Sequence, residues 1–252
     1  MQQIVKRIIF FAALLGVWEA IVKLLGIKPV VFPAPSNIFQ ALWKGFADLT
    51  LVYDLLASFE RLIIGLAIAL LLGTLLGVIL AGSKTIDDTV GSLILALQSV
   101  PSIVWLPLAI IWFGLNEKAI IFIVVLGGTL VMTLNMRTGI KSVPPIYIKA
   151  ARTMDYNGFS LFAKVIFPAA IPHAVTGARL AWAFAWRGLM GSELLSTGPG
   201  LGYTLKFASD FGDMALVIGI IFIIALIGIF VDLVFFSRIE KKVLKKWGLQ
   251  EQ

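Results

Sequence analysis

The sequence predicts an all-α membrane protein with six transmembrane helices, and three observations carry that prediction. The 252 residues are 60% hydrophobic and 14% charged, with a mean hydropathy of +0.99, too apolar for a soluble domain of this length. Uncharged runs of about twenty residues recur, each long enough to cross a hydrocarbon core of roughly 30 Å as helix. Lysine and arginine are unevenly divided between alternate loops, the asymmetry that orients an inserted chain.

The first span covers about residues 8–27, after Lys6 and Arg7, and holds Glu19 and Lys23 at i, i+4, where they pair on one helix face. No small-x-small cleavage site follows its apolar run, so it reads as an uncleaved span rather than a signal peptide. Next comes "FPAPSNIFQALWKGF", whose proline-rich entry leads to Ile38, Leu42, Phe46 and Leu49 on one helical face. That pattern suits a helix lying at the outer interface. The remaining spans fall at about 62–81, 91–114, 119–136, 171–195 and 214–236. Gly73 and Gly77 give the second span a small-xxx-small face for close helix packing.

With the N-terminus in the cytoplasm, 13 basic residues lie inside: Lys6, Arg7, Lys84, Arg137, Lys141, Lys149, Arg152, Lys164, Arg238, Lys241, Lys242, Lys245 and Lys246. Only Lys28, Lys44, Lys118 and Lys206, 4 in all, lie outside. Both termini are therefore expected in the cytoplasm, with the basic tail facing anionic lipid headgroups. No fixed-period repeat, low-complexity tract or long linker appears, so residues 1–252 read as a single membrane domain.

The loop before the fifth span departs from this pattern. It reads "YIKAARTMDYNGFSLFAKVIFPAAIPHAV" from Tyr147 to Val175. At roughly 2.5 to 3.5 kcal/mol per mid-membrane charge, Lys149, Arg152, Asp155 and Lys164 together oppose insertion by about 10 kcal/mol or more. Residues 144–168 therefore lie outside the hydrocarbon. Pro144 and Pro145 open a helix in which Tyr147, Ala150, Ala151 and Met154 share one face. Asn157-Gly158 is a break suited to positive φ. Phe159, Phe162, Ala163 and Ile166 then repeat at helical spacing until Pro168 closes the run. The product is two short amphipathic helices joined by a bend, with alanines where another surface can approach closely.

This stretch resembles the cytoplasmic signature of binding-protein-dependent ABC importer permeases, a Glu-Ala-Ala followed at fixed spacing by Gly and then Ile-x-Leu-Pro. Here the positions read Lys149-Ala150-Ala151, Asp155 and Val165-Ile166-Phe167-Pro168. The spacing is kept, with Lys for Glu, Asp for Gly, Val for Ile and Phe for Leu. Asp155 at the glycine position leaves the bend open between it and Asn157-Gly158. "FPAPSNIFQAL", "SVPSIVWLPLAIIWFGLNEK", "AWAFAWRGLMGSELL" and "GPGLGY" are similar to the nitrate/sulfonate/taurine branch, and the likeness runs from about Phe32 to Phe236. It implies a type I importer permease fold whose coupling region, Lys149, Ala150, Ala151, Arg152, Asp155, Asn157, Gly158 and Pro168 included, docks on a cytoplasmic ATPase. The resemblance also implies a homodimer in a bacterial inner membrane, with an ATPase dimer inside and a periplasmic or lipid-anchored solute-binding protein outside. ATP and Mg would be bound by the ATPase and no cofactor by this chain. The resemblance implies nitrate, sulfonates, taurine or bicarbonate as solute, with some relatives carrying pyrimidine or flavin-like molecules.

Six residues are candidates for the translocation pathway: Pro101, Pro107, Trp182, Trp186, Arg187 and Glu193. An arginine at membrane depth faces the bundle interior or a water-filled cavity, so Arg187 either attracts an anionic solute, flanked by Trp182 and Trp186, or pairs with Glu193 or another helix's carboxylate, or snorkels. Pro101 and Pro107 can kink the third span. Arg179 reads as an orienting and packing residue, and His173 as an interfacial side chain. "GPGLG" at 198–202 lacks the Gly-Lys-Ser/Thr ending of a phosphate loop and reads as a turn. With no cysteine and one histidine, thiolate chemistry and multi-histidine metal sites are excluded. No HExxH, GxSxG or paired-carboxylate motif suggests an enzyme. The alternative, a self-sufficient secondary transporter or channel, predicts internal inverted repeats, which the sequence lacks.

Overall fold

The computed structural model of the chain describes residues 2–247; Met1 and residues 248–252 lie outside them. Among the described residues the secondary structure is entirely helical. In chain order the elements are α1 (Gln2–Leu24), α2 (Pro35–Ala47), α3 (Thr50–Gly82), α4 (Lys84–Gln98) and α5 (Ser102–Phe113). α6 (Glu117–Lys141), α7 (Pro145–Thr153), α8 (Gly158–Glu193), α9 (Leu201–Asp210) and α10 (Met214–Lys246) follow.

Four of these, α3, α6, α8 and α10, are long and apolar enough to cross a membrane. α4 and α5 meet that standard only together, bent by 95° at the break between them. The third span is thus two segments, where one kinked helix over 91–114 was expected. Pro101 accounts for the break, since it holds an extended backbone (φ −54°, ψ 132°) immediately ahead of Ser102 and has no N–H to continue α4. Pro107 kinks nothing. It sits where the 3₁₀ turn Ser102–Trp105 passes into α-helix, and the Leu106 N–H has already taken the Ile103 carbonyl. A count of six requires the broken pair to serve as one span and α1, with Lys6, Arg7, Glu19 and Lys23 among its 23 residues, as another.

Two other boundaries moved for identifiable reasons. α3 starts at Thr50 rather than Leu62 because Asp54, Ser58 and Arg61 ahead of the apolar run are buried and have partners, Arg61 donating to Glu117 at 3.0 Å. Pro168 does not close its run. The preceding turn, Phe162–Ile166, widens to π geometry with the Phe167 N–H donating to the Phe162 carbonyl. That i→i−5 bond makes room for a residue without a donor, and α8 continues to Glu193.

The chain forms two compact units. The first comprises the chain up to Ser58 and Glu193–Ile227. In it, α2 packs Ile38 inward, Leu42 fills the space left by Gly219, and Trp18 lies against Phe32 with ring centroids 5.4 Å apart. Glu19 pairs with Lys23 at 2.7 Å as expected and also accepts from the Ser36 N–H and hydroxyl at 3.0 and 2.8 Å.

The second unit comprises Phe59–Ser192 and the chain from Gly228. α6 is its most buried membrane-length helix, and it is apolar on all sides because it is packed on all sides. Against α3 it packs with no intervening side chain at Gly65, Gly73 and Gly77, which face Val124, Met132 and Met136. Against α8 it meets Gly177 with Asn135, while its own Gly139 receives His173. The small-xxx-small face at Gly73 and Gly77 is therefore a helix contact, extended by one further glycine.

Candidate functional site

α7 and the start of α8 form the segment that the sequence places outside the hydrocarbon. Pro145 sits in the first turn of α7, with Pro144 ahead of it in extended backbone. The helix ends in a Schellman motif: the Tyr156 N–H donates to the Ala151 carbonyl and the Asp155 N–H to the Arg152 carbonyl, each at 3.1 Å. The left-handed residue that this motif requires is Asp155, at φ +62°. Gly158 follows at φ +51°, in the first turn of the next helix, where the Asn157 N–H donates to the Ser160 hydroxyl at 3.2 Å. The bend is thus built at both places that the sequence left open. Aspartate tolerates the left-handed region better than most side chains, but glycine enters it at no cost. Asp155→Gly is expected to raise the melting temperature of the purified protein by a few degrees, about 1 kcal/mol, and Asp155→Val to lower it; equal melting of all three would contradict the strain.

The bend divides the predicted face. Ala151 is buried, while Tyr147, Ala150 and Met154 point outward. Ala151 therefore packs on its own chain, which corrects the expectation of one shared face. Ile146, Met154 (68% exposed) and Phe159 (83% exposed) complete an outward apolar surface bordered by exposed Lys149, Arg152 and Asp155. Lys164 reaches back over the Tyr156 ring, 5.1 Å from its centroid.

Trp182 and Trp186 are both buried and stack on each other at 5.8 Å and 9°, with Phe236 beside the first and Phe59 beside the second. Arg187, one residue on, is exposed and sits over the Phe184 ring at 5.1 Å. It lines a cavity of ≈ 320 Å³ with Gln98, Ser99, Pro101, Ser102 and Ile103, and neither tryptophan borders that cavity. Of the pathway candidates only Arg187 and Pro101 line this cavity.

Glu193 is fully buried elsewhere, in a polar cluster of the first unit. Its carboxylate accepts from the Ser58 hydroxyl at 2.8 Å and from the Gly202 N–H at 3.0 Å. Ser58 accepts from the Leu201 N–H at 2.9 Å, while Asp54 accepts from the Gly200 N–H at 3.0 Å and the Thr204 hydroxyl at 2.5 Å. The N–H groups opening α9 are thus satisfied by carboxylates and a hydroxyl from distant helices, with the negative charge that a helix N-terminus favours. This explains why "GPGLG" is a turn and no phosphate cradle.

Sequence reading missed Asp54 and Ser58, although an i, i+4 polar pair ahead of an apolar run was a usable signal. It also missed the partners of three further cations. Arg179 is held by Asp232 at 2.6 and 2.7 Å and by Glu240 at 2.6 Å; Arg137 and Lys141 converge on Asp87. Among the described residues no three His, Asp or Glu side chains gather as a metal site.

Comparison with known proteins agrees with this architecture. Residues 69–244 match the family model described as binding-protein-dependent transport system inner membrane component. A putative ABC transporter permease of Methanocaldococcus jannaschii is 30% identical over 92% of this chain and 88% of its own. The taurine transport system permease protein of Escherichia coli is 30% identical over 92% of this chain and 86% of its own. A chain of the MetNI methionine ABC transporter, solved in inward-facing conformations, superposes with a TM-score of 0.69 and 17% identity over 78% of this chain and 97% of that one, which is a likeness of fold. With its helical architecture, its matched core and relatives spanning nearly its whole length, the chain belongs to the binding-protein-dependent transport system inner membrane component family, the permease subunits of ABC importers.

Proposed function

We propose that this permease imports a small oxoanion of the sulfonate, nitrate or bicarbonate kind, and that the outward surface around Ala150 and Met154 is where a cytoplasmic ATPase drives it. ATP hydrolysis in this family belongs to a separate subunit, so the chain needs a mechanical input and not a nucleotide site. The observation that carries the proposal is the outward apolar face Tyr147, Ala150 and Met154 beside the fixed bend at Asp155. A rigid bend presents this face at a set angle, and the small Ala150 lets a groove close over it. Lys149, Arg152, Asn157 and Gly158 border the contact, while the π turn ahead of Pro168 carries α8 on from it toward Glu193.

In this reading the chain is one membrane domain in a bacterial inner membrane, with both termini cytoplasmic and α1 completing six spans. Two copies enclose the pathway, two ATPase subunits hold ATP and Mg inside, and a periplasmic or lipid-anchored binding protein delivers solute outside. ATP binding at the ATPase then shifts the population between inward- and outward-open states. Arg187 and Pro101 lie along the path, Trp182 and Trp186 pack in the core with Phe236 and Phe59, and Glu193 holds the turn ahead of α9. The taurine permease among the relatives supports an anionic head group on the solute.

Adjacent alanines test the docking face. Ala150→Glu is expected to reduce co-purification of the ATPase by about tenfold or more, equivalent to about 1.4 kcal/mol, without changing the permease's melting temperature. Ala151→Glu buries a charge and is expected to destabilise the permease itself. Full ATPase retention in Ala150→Glu would refute the docking assignment.

A further inference from the structure

We propose that Arg187, Gln98 and Ser102 form a subsite for the oxoanion end of a small monoanionic solute, with Ile103 and Phe184 holding its apolar body. The inference rests on the importer reading above but adds the site and its selectivity. Its starting point is a contrast among arginines of the membrane-length helices. Arg61, Arg137 and Arg179 each meet a carboxylate. Arg187 has no carboxylate partner among the described residues, only the Phe184 ring; Arg238, the other arginine of these helices without one, lies in the charged Ser237–Lys246 end of α10. An unpaired guanidinium at this depth is costly unless it faces water or a ligand, and the ≈ 320 Å³ cavity supplies the space.

The lining determines what such a cation would hold. The side chains of Gln98 and Ser102 have no hydrogen-bond partner among the described residues, so an amide N–H and a hydroxyl are available as donors beside the guanidinium. Ser99 is not available, because its hydroxyl donates to the Ala96 carbonyl at 2.7 Å. A forked guanidinium with two neutral donors fits the several acceptor oxygens of a sulfonate, nitrate or carboxylate. No acidic side chain lines the cavity, so nothing there would neutralise an ammonium group. The subsite therefore favours a simple monoanion over a zwitterion or a cation.

Two glycines keep the Ser102 hydroxyl accessible. A Cβ at Gly188 would lie 2.9 Å from that oxygen, and one at Gly127 would lie 3.2 Å from it. The break between α4 and α5 also has a place in this arrangement, since irregular backbone at membrane depth is tolerated where it lines a water-filled cavity. Pro101, which creates the break, is itself part of the lining.

The test uses the full-length permease in lipid nanodiscs with trifluoromethanesulfonate as probe, followed by ¹⁹F line broadening. Wild type is expected to broaden the signal, methanesulfonate to reverse the effect, and tetramethylammonium to leave it unchanged. Arg187→Gln is expected to weaken binding by about tenfold, with Arg187→Lys intermediate because it keeps the charge but loses the fork. Gly188→Ala, which leaves Arg187 intact, is expected to weaken it by about threefold by displacing the Ser102 hydroxyl. Wild-type broadening in a monodisperse Arg187→Gln overturns the subsite, and so does equal competition by tetramethylammonium or stronger competition by taurine than by methanesulfonate. Should Arg187→Gln fail to fold, wild-type broadening in both Arg187→Lys and Gly188→Ala overturns it instead. Uptake by the assembled transporter separates the two proposals. Binding lost with uptake retained upholds the subsite and removes it from the pathway, whereas uptake lost with broadening unchanged discards the subsite and keeps Arg187 on the path.

Discussion

Gly77→Leu is expected to abolish recovery of folded, monodisperse protein, because the α3–α6 contact leaves no room for a side chain there. A Cβ at Gly77 would lie 2.6 Å from the Met136 Cβ and 2.7 Å from the Thr133 carbonyl oxygen. Neither atom is the free end of a flexible side chain, so relief requires the two helix backbones to separate. Gly73 meets the same obstacle one turn earlier, 2.5 Å from the Met132 Cβ and 2.9 Å from the Thr129 carbonyl oxygen, so the helices cannot pivot about one point. Close backbone approach at small residues is the main attraction between helices where lipid offers as much apolar contact as protein does. The branched side chain is therefore expected to cost more than about 3 kcal/mol, and Gly77→Ala part of that. Gly82, on the same helix with nothing within 4 Å of where a Cβ would stand, is the control. Gly82→Leu should purify like wild type, and equal recovery of Gly77→Leu would refute the packing account.

Those glycines were legible because small-xxx-small spacing is a local pattern with one common physical meaning. The all-helical class and family resemblance were legible for a similar reason, since long uncharged runs and ordered motifs survive without knowledge of contacts. What escaped was whatever depends on a partner distant in sequence. The 95° break in the third span lay hidden in a uniformly apolar run, where no periodicity reports a change of direction. Pro101 marked the place, but the same residue type at Pro107 marked nothing. Ala150 and Ala151 show the limit at finer scale. A nine-residue helix tolerates either alanine on its inner face by pattern alone, and only the Schellman turn and the buried side determine which.

Arg187 shows the converse, a site half legible. Its depth and charge singled it out, and the tryptophans beside it in sequence were grouped with it by proximity. A step of one residue is about 100° of helix, enough to put Trp186 in the core and Arg187 in a cavity. The polar groups that share its cavity, Gln98 and Ser102, come from either side of the helix break, whose place Pro101 marked but whose angle no pattern in the sequence gives. The carboxylates of Arg179 were equally remote, 53 and 61 residues away.

Asp54→Ala is expected to lower the melting temperature of the purified permease by about 6 °C or more, the signature of roughly 3 kcal/mol in a chain of this size. The residue is 4% exposed and satisfies two groups at once, the Gly200 N–H and the Thr204 hydroxyl. Alanine leaves both buried without an acceptor and removes a negative charge from the N-terminus of α9. Asp54→Asn separates these contributions. Its carbonyl oxygen can still accept from Gly200, and its amide can donate to the Thr204 hydroxyl if that hydroxyl turns to accept. Only the charge is then lost, at about 0.5 to 1 kcal/mol. Ser58→Ala should resemble Asp54→Ala, because the same hydroxyl accepts from Leu201 and donates to Glu193. Limited proteolysis supplies a second readout, with cleavage between Ser196 and Tyr203 expected to accelerate in both alanine variants and not in Asp54→Asn. If Asp54→Ala melted with wild type and resisted protease equally, the cluster would not be what holds this turn, and the capping account of Glu193 would fall with it.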